Sequence, residues 1–179
     1  MKVPWFAVIL LATSCMQVSG ENTREVIRDA SGRVVETVEH RTDSQGNVQS
    51  TRRDAAGRLI GTATSRNTSG GGTRTQYRDA TGKSAGTAEQ RTSHQNSTTA
   101  YRDANGRLLG NATSNRSGST VHTRYRDTNG RTTATATQSG GSSSVQRDAS
   151  GRVTTTRQGK RPALIPQPKP PCPPSKAGP

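Results

Sequence analysis

Hydrophobic residues are distributed along this chain in two unlike patterns. Trp5 to Ala12 form one dense apolar run behind a single basic residue, Lys2. From Glu21 onward apolar residues are sparse, and many fall at alternate positions. In Arg58-Leu59-Ile60-Gly61-Thr62-Ala63-Thr64 an extended chain turns Leu59, Gly61 and Ala63 to one side and Ile60, Thr62 and Thr64 to the other. Arg107 to Thr113 repeats the arrangement with Leu108, Gly110 and Ala112 on the inner side. A period of two predicts β-strands with one small-residue face turned inward and a Thr, Ser and Arg face turned out.

The strands are punctuated by one motif. Arg-Asp-x-x-Gly-basic begins at Arg28, Arg53, Arg78, Arg102, Arg126 and Arg147, at separations of 25, 25, 24, 24 and 21 residues. A period in this range marks an array of like supersecondary units. Asp accepts a hydrogen bond from a backbone N–H two residues on, which starts a turn. Gly three positions later takes the positive φ that a type I turn with a bulge requires. The motif is therefore a hairpin turn. Looser turns rich in Gly, Ser and Asn close the repeats, as at Asn67 to Gly72 and Gly140 to Ser143. The expectation is an all-β fold of about a dozen short strands over residues 21–157: repeated antiparallel β-hairpins in an up-and-down meander or solenoid-like array. Tyr77, Tyr101 and Tyr125 precede the motif at one equivalent position and are expected to stack between neighbouring repeats, giving a thin continuous core.

Composition qualifies this picture. Only 26% of residues are hydrophobic and the mean hydropathy is −0.89. Trp5 and Phe6 are the only Trp and Phe, so beyond residue 20 the three tyrosines are the only aromatics. So little apolar area is by itself a signature of disorder, and the periodicity is what argues for a fold.

The formal charge is +14, with an isoelectric point near 11.3, which suits polyanionic partners. Residues 1–20 have the order of a secretory signal peptide, with cleavage expected before Glu21. A second reading takes Ala12-Thr13-Ser14-Cys15 as a degenerate lipobox, with Cys15 lipidated. No later stretch is expected to cross a membrane. Cys172 is then the one cysteine beyond the leader, either an idle thiol or an intermolecular attachment point. The location implied is secreted, periplasmic or outer-envelope.

Thr98-Thr99-Ala100-Tyr101-Arg102-Asp103-Ala104-Asn105-Gly106-Arg107-Leu108 resembles the Tyr-Asp repeat of bacterial Rhs-type and wall-associated surface proteins, over about residues 24–157. Here an Arg separates Tyr from Asp and three copies lack the Tyr. The resemblance implies a bacterial envelope or secreted β-hairpin array; members of that family often handle carbohydrate or enclose a toxin domain.

No catalytic constellation is read from the residues, and neither enzyme activity nor a cofactor is expected. His40, His94 and His122 lie in different repeats and read as solvent-facing strand residues, with no metal-ligand spacing. Asp103-x-Asn105-Gly106 and Asp127-x-Asn129-Gly130 resemble the start of a calcium loop but lack its further acids, and turn formation accounts for them. The candidate site is basic. Arg33, Arg58, Lys83, Arg107, Arg131 and Arg152 end the six turns and are expected to line up at one end of the sheet as a polyanion-binding row. The competing reading pairs each with its neighbouring Asp for solubility. An anionic polysaccharide or another cell-surface component is the expected partner. Nucleic acid is disfavoured by export and by the lack of aromatic stacking platforms. Thr62-Ala63-Thr64 and Thr135-Ala136-Thr137 give a Thr face of the kind seen in ice binding, a minor alternative. Asn67, Asn96, Asn111 and Asn115 are glycosylation acceptors only in a eukaryotic secretory pathway. Gln158 to Pro179 form a basic, proline-rich, disordered tail, read as a docking peptide or as an inert end, with the repeats as a spacer that presents it.

Overall fold

The computed structural model describes residues 21–160. Twelve strands follow one another: β1 (Asn22–Asp29), β2 (Val34–Thr42), β3 (Val48–Asp54), β4 (Leu59–Asn67), β5 (Thr73–Asp79), β6 (Ser84–Ser93), β7 (Asn96–Arg102), β8 (Leu108–Ser117), β9 (Thr120–Arg126), β10 (Thr132–Ser139), β11 (Ser143–Asp148) and β12 (Val153–Gln158). Each pairs antiparallel with the next, and β12 returns to β1, setting Val26 opposite Gln158 and Asp29 opposite Thr155. The meander is thus a closed barrel rather than an open solenoid. Closure leaves no unpaired strand edge, which is how a chain with so little core avoids edge-to-edge association. β12 includes Gln158, one residue past the expected end of the repeats. The signal-like segment with Cys15, and the tail with Cys172, lie outside the described residues.

All six Arg-Asp-x-x-Gly hairpins carry a bulge at the same place. Tyr77 opposes Gly86 but Arg78 opposes Ser84, leaving Ala85 extra; Tyr101 opposes Gly110 but Arg102 opposes Leu108, leaving Leu109 extra. The equivalent extra residues in the other hairpins are Val35, Ile60, Thr133 and Thr154. A bulge adds twist and bends its strand, so six at equal intervals curve the sheet toward closure. They also shift the side-chain alternation at the start of each even strand. Leu59 and Leu108, expected inside with Gly61 and Gly110, are exposed instead, at 38% and 43%.

The barrel is filled by a rule visible in the register. Ile27, Arg52, Tyr77, Tyr101, Tyr125 and Gln146 occupy one equivalent inward position, before the motif Arg. Tyr77 lies between Ala63 and Gly86, Tyr101 between Ala88 and Gly110, and Tyr125 between Ala112 and Ala134. Small residues on even strands thereby make room for large ones on odd strands. The Tyr101 and Tyr125 rings meet across β8 with centroids 6.5 Å apart and a tilt of 35°. Around them Ala88, Ala112, Ala134 and Ala136 are buried, and Ile27, Val38 and Val48 supply the apolar wall on the β1–β3 side.

Much of the rest of the interior is polar, and several of its side chains pair across strands. Ser65 and Thr75 hydroxyls lie 2.7 Å apart, as do those of Ser114 and Thr123 at 2.8 Å. Arg52 donates to both Glu36 carboxylate oxygens at 2.6 and 2.8 Å, and these bonds raise the guanidinium pKa above its ordinary value. His40 bonds Ser50 Oγ at 2.9 Å through Nδ1 and Glu25 at 3.3 Å through Nε2. His40 is therefore not a solvent-facing strand residue; it is 2% exposed, because the alternation puts it in phase with Val38. The outer wall carries Arg24, Glu39, Arg41, Arg74, Glu89, Arg91 and Arg124, all exposed, with Arg74 3.9 Å from Glu89. An arginine facing hydrocarbon costs about 2–4 kcal/mol at the bilayer midplane, so this wall suits water and not a lipid core.

Candidate anion-binding rim

Each Arg-Asp-x-x-Gly turn joins an odd strand to the following even one, so up-and-down topology puts all six on the same end of the barrel. The turns share one geometry. The Asp Oδ1 accepts from the N–H two residues on and again from the N–H four residues on, at 2.8–3.0 Å throughout. The Gly N–H donates back to the Asp carbonyl, and Gly φ lies between 79° and 84°. Oδ1 is thus occupied by backbone in every turn. At Asp54 the bond from the Arg58 N–H leads in lowering the carboxyl pKa; at Asp79 and Asp148 the hydroxyls of Thr81 and Ser150 lead.

The two basic residues of each motif have different duties. The Arg before Asp folds over its turn: Arg28, Arg53, Arg78, Arg102 and Arg147 donate from Nη1 to the turn Gly carbonyl at 2.7–3.1 Å. The residue after Gly contributes its backbone N–H to the turn and sends its side chain out. Arg33, Arg58, Lys83, Arg107, Arg131 and Arg152 are all exposed. Among them Arg58 pairs with its own Asp54 at 2.8 Å; for the other five side chains no hydrogen bond or ion pair is found among the described residues. The expected row is therefore a ring. Adjacent turns are two strands apart, about 10 Å along the rim at ordinary strand spacing.

A seventh Asp-x-x-Gly turn separates structure from charge. Asp43-Ser44-Gln45-Gly46-Asn47, on the opposite rim, makes the same bonds: Asp43 Oδ1 accepts from Gln45 and Asn47 N–H at 2.9 and 2.8 Å, and Gly46 φ is 78°. Its residue after Gly is Asn47, whose side-chain amide is the leading cause of the lowered Asp43 pKa. The turn folds without a basic residue at that place. This copy escapes a search for the Arg-Asp form because His40-Arg41-Thr42 precedes the Asp, although its Asp and Gly keep the motif spacing.

The other candidate positions are dispersed. His94 sits in the β6–β7 hairpin with φ 51°, and His122 on the outer wall near the Thr137 hydroxyl, at 3.4 Å. Among the described residues no group of three or more His, Cys, Asp and Glu is arranged to hold a metal ion. The Thr pairs face outward, but Thr62 opposes Arg78, and Thr135 lies between Arg124 and Arg147, which breaks a continuous Thr face. The Ser50–His40–Glu25 group was not legible as a cluster from spacing. Its serine is 4% exposed inside the barrel, so no substrate reaches the hydroxyl in this conformation. Glu25 also lies 3.9 Å from Arg157, tying β1, β2, β3 and β12 together where the barrel closes.

No family model matches the chain, and no curated protein matches it. Among solved structures, a protein of Bacteroides fragilis with a YmcC-like fold aligns at a TM-score of 0.45 and 11% identity, over 80% of this chain and 95% of that one.

Proposed function

We propose that this chain is an exported, non-enzymatic β-barrel that binds an anionic polymer of the cell surface through the ring Arg33, Arg58, Lys83, Arg107, Arg131 and Arg152. The observation that carries the reading is the Asp43 turn. The same backbone geometry forms with Asn47 after Gly, so a basic residue at all six positions of one rim is not required for folding. Each motif sets two basic residues against one Asp, so the rim presents a surplus of positive charge at a regular pitch, which suits a polyanion with repeating charges. The leader-like residues 1–20 and the resemblance to Tyr-Asp surface repeats support a polymer outside the cytoplasm.

The test replaces all six with Asn, the residue the fold already accepts after Gly46, and measures binding to dextran sulfate against salt. Wild-type affinity should fall steeply with salt, since binding releases counterions. The variant should lose affinity at least about a hundredfold while its thermal melt stays close to wild type. Equal binding by the two would end the proposal, and a salt-independent wild type would do the same.

A further inference from the structure

The same rim carries a second feature that charge does not explain. The exposed large hydrophobic residues found among the described residues are Val35, Ile60, Leu59, Leu108 and Leu109, at 38–43% exposure. All five lie within two residues of the basic residue that follows a turn Gly: Arg33-Val34-Val35, Arg58-Leu59-Ile60 and Arg107-Leu108-Leu109. The bulge brings them out, by shifting the alternation just past the turn. The bulge does not need them. Ser84-Ala85 and Thr132-Thr133 take the same backbone places in the third and fifth hairpins. The apolar pairs belong to the first, second and fourth hairpins, so they are spread around the ring, with Ser84-Ala85 of the third between them and mainly polar residues in the fifth and sixth.

We infer that this rim docks on an anionic lipid leaflet, with the basic residues at the phosphates and Leu59, Ile60, Leu108 and Leu109 entering the acyl boundary. Basic residues next to exposed aliphatic ones are the composition of an interfacial membrane-binding surface, where electrostatic attraction and apolar burial add. A soluble polyanion would use the arginines and leave the leucines in water. A second copy of the rim is excluded by like charge, since two such rings repel face to face. The inference rests on the anion-binding reading above and specifies that the anions are lipid headgroups.

The test uses the chain from Glu21 to Pro179, which contains every strand of the closed barrel and omits the apolar leader. Sedimentation with phosphatidylglycerol–phosphatidylcholine vesicles should show binding, and pure phosphatidylcholine vesicles should show little. Leu59→Ser, Ile60→Ser, Leu108→Ser and Leu109→Ser together should reduce partitioning at least about tenfold, because each loses transfer of apolar area from water. Dextran sulfate binding should be unchanged in that variant. Leu108→Trp provides a second readout: residues 21–179 otherwise hold no Trp, and the emission should shift to the blue with anionic vesicles only. Dextran sulfate binding without vesicle binding, or without the blue shift, overturns the lipid inference and leaves the anion-binding proposal standing, with a polysaccharide as the partner. Loss of both kinds of binding overturns both.

Discussion

Replacing Gly110 with alanine tests whether the barrel depends on its small even-strand positions. Gly110 has φ 143°, and a Cβ there would lie 2.2 Å from the Arg126 carbonyl oxygen at the end of β9 and 3.3 Å from Cα of the next residue, Asp127. Backbone strain of about 1–3 kcal/mol is one cost of an L side chain in such a conformation. The other is that β9 must retreat by roughly an ångström, with the loss of about two ladder hydrogen bonds near 1 kcal/mol each. The sum is about 3–5 kcal/mol, a large share of the roughly 5–15 kcal/mol that holds a domain together. A shift of about 3–5 °C per kcal/mol makes this a fall of roughly 10–20 °C in melting temperature by circular dichroism. Gly106→Ala is the control. Its φ is 81° with nothing within 4 Å of a Cβ, so it isolates the conformational cost of about 1–2 kcal/mol. Ala134 holds the equivalent place on β10 and is not among the positive-φ residues, so Ala134→Gly should cost about 1 kcal/mol through lost methyl burial. If Gly110→Ala melts no lower than Gly106→Ala, close approach of β8 and β9 is not what the glycine is for.

Two further outcomes follow from the polar chemistry. The folded carboxyl pKa values of Asp43, Asp54, Asp79 and Asp148 are lowered, so their stabilisation is complete above the ordinary aspartate value near 3.9 and is lost as pH falls through the depressed values. The melting temperature should therefore drop as pH falls below about 4. Asn at all four positions should flatten that drop, and an unchanged profile would show that other groups govern acid stability. His40→Phe removes the link between Glu25 and Ser50 and should cost about 2–4 kcal/mol in urea unfolding, because buried polar groups lose their partner. A variant as stable as wild type would mean that the ring of His40 serves only as bulk.

The strand count and turn positions were legible because they depend on local chemistry that repeats: Asp two residues before an N–H, and Gly where φ must be positive. Closure was not, since it depends on the accumulated twist of six bulges and on a pairing between Val26 and Gln158 with no local sign. The inward tyrosines were legible from their common position before the motif. Leu59 and Leu108 were misplaced for a specific reason. Simple alternation carried backward from Ala63 and Ala112 assigns them to the interior, and a bulge between motif and strand breaks that count by one residue. His40 shows the opposite error. Its parity with Val38 already placed it inside, but polarity argued for water, and the hydroxyl and carboxylate that satisfy it come from β3 and β1, ten and fifteen residues away.

The repeats act as internal controls on one another, which is why function can be argued from the chain itself. A feature present in every copy of a turn, such as Asp accepting two N–H bonds, belongs to folding. A feature that changes sides with the barrel belongs to something else. Basic residues follow Gly at six turns of one rim and Asn does so at the equivalent turn of the other; aliphatic pairs follow in three hairpins and small or polar pairs in two others with the same bulge. β1 begins and β12 ends at the far rim, where Lys160 pairs with Glu21. Both ends of the described chain therefore lie at the rim opposite the basic ring.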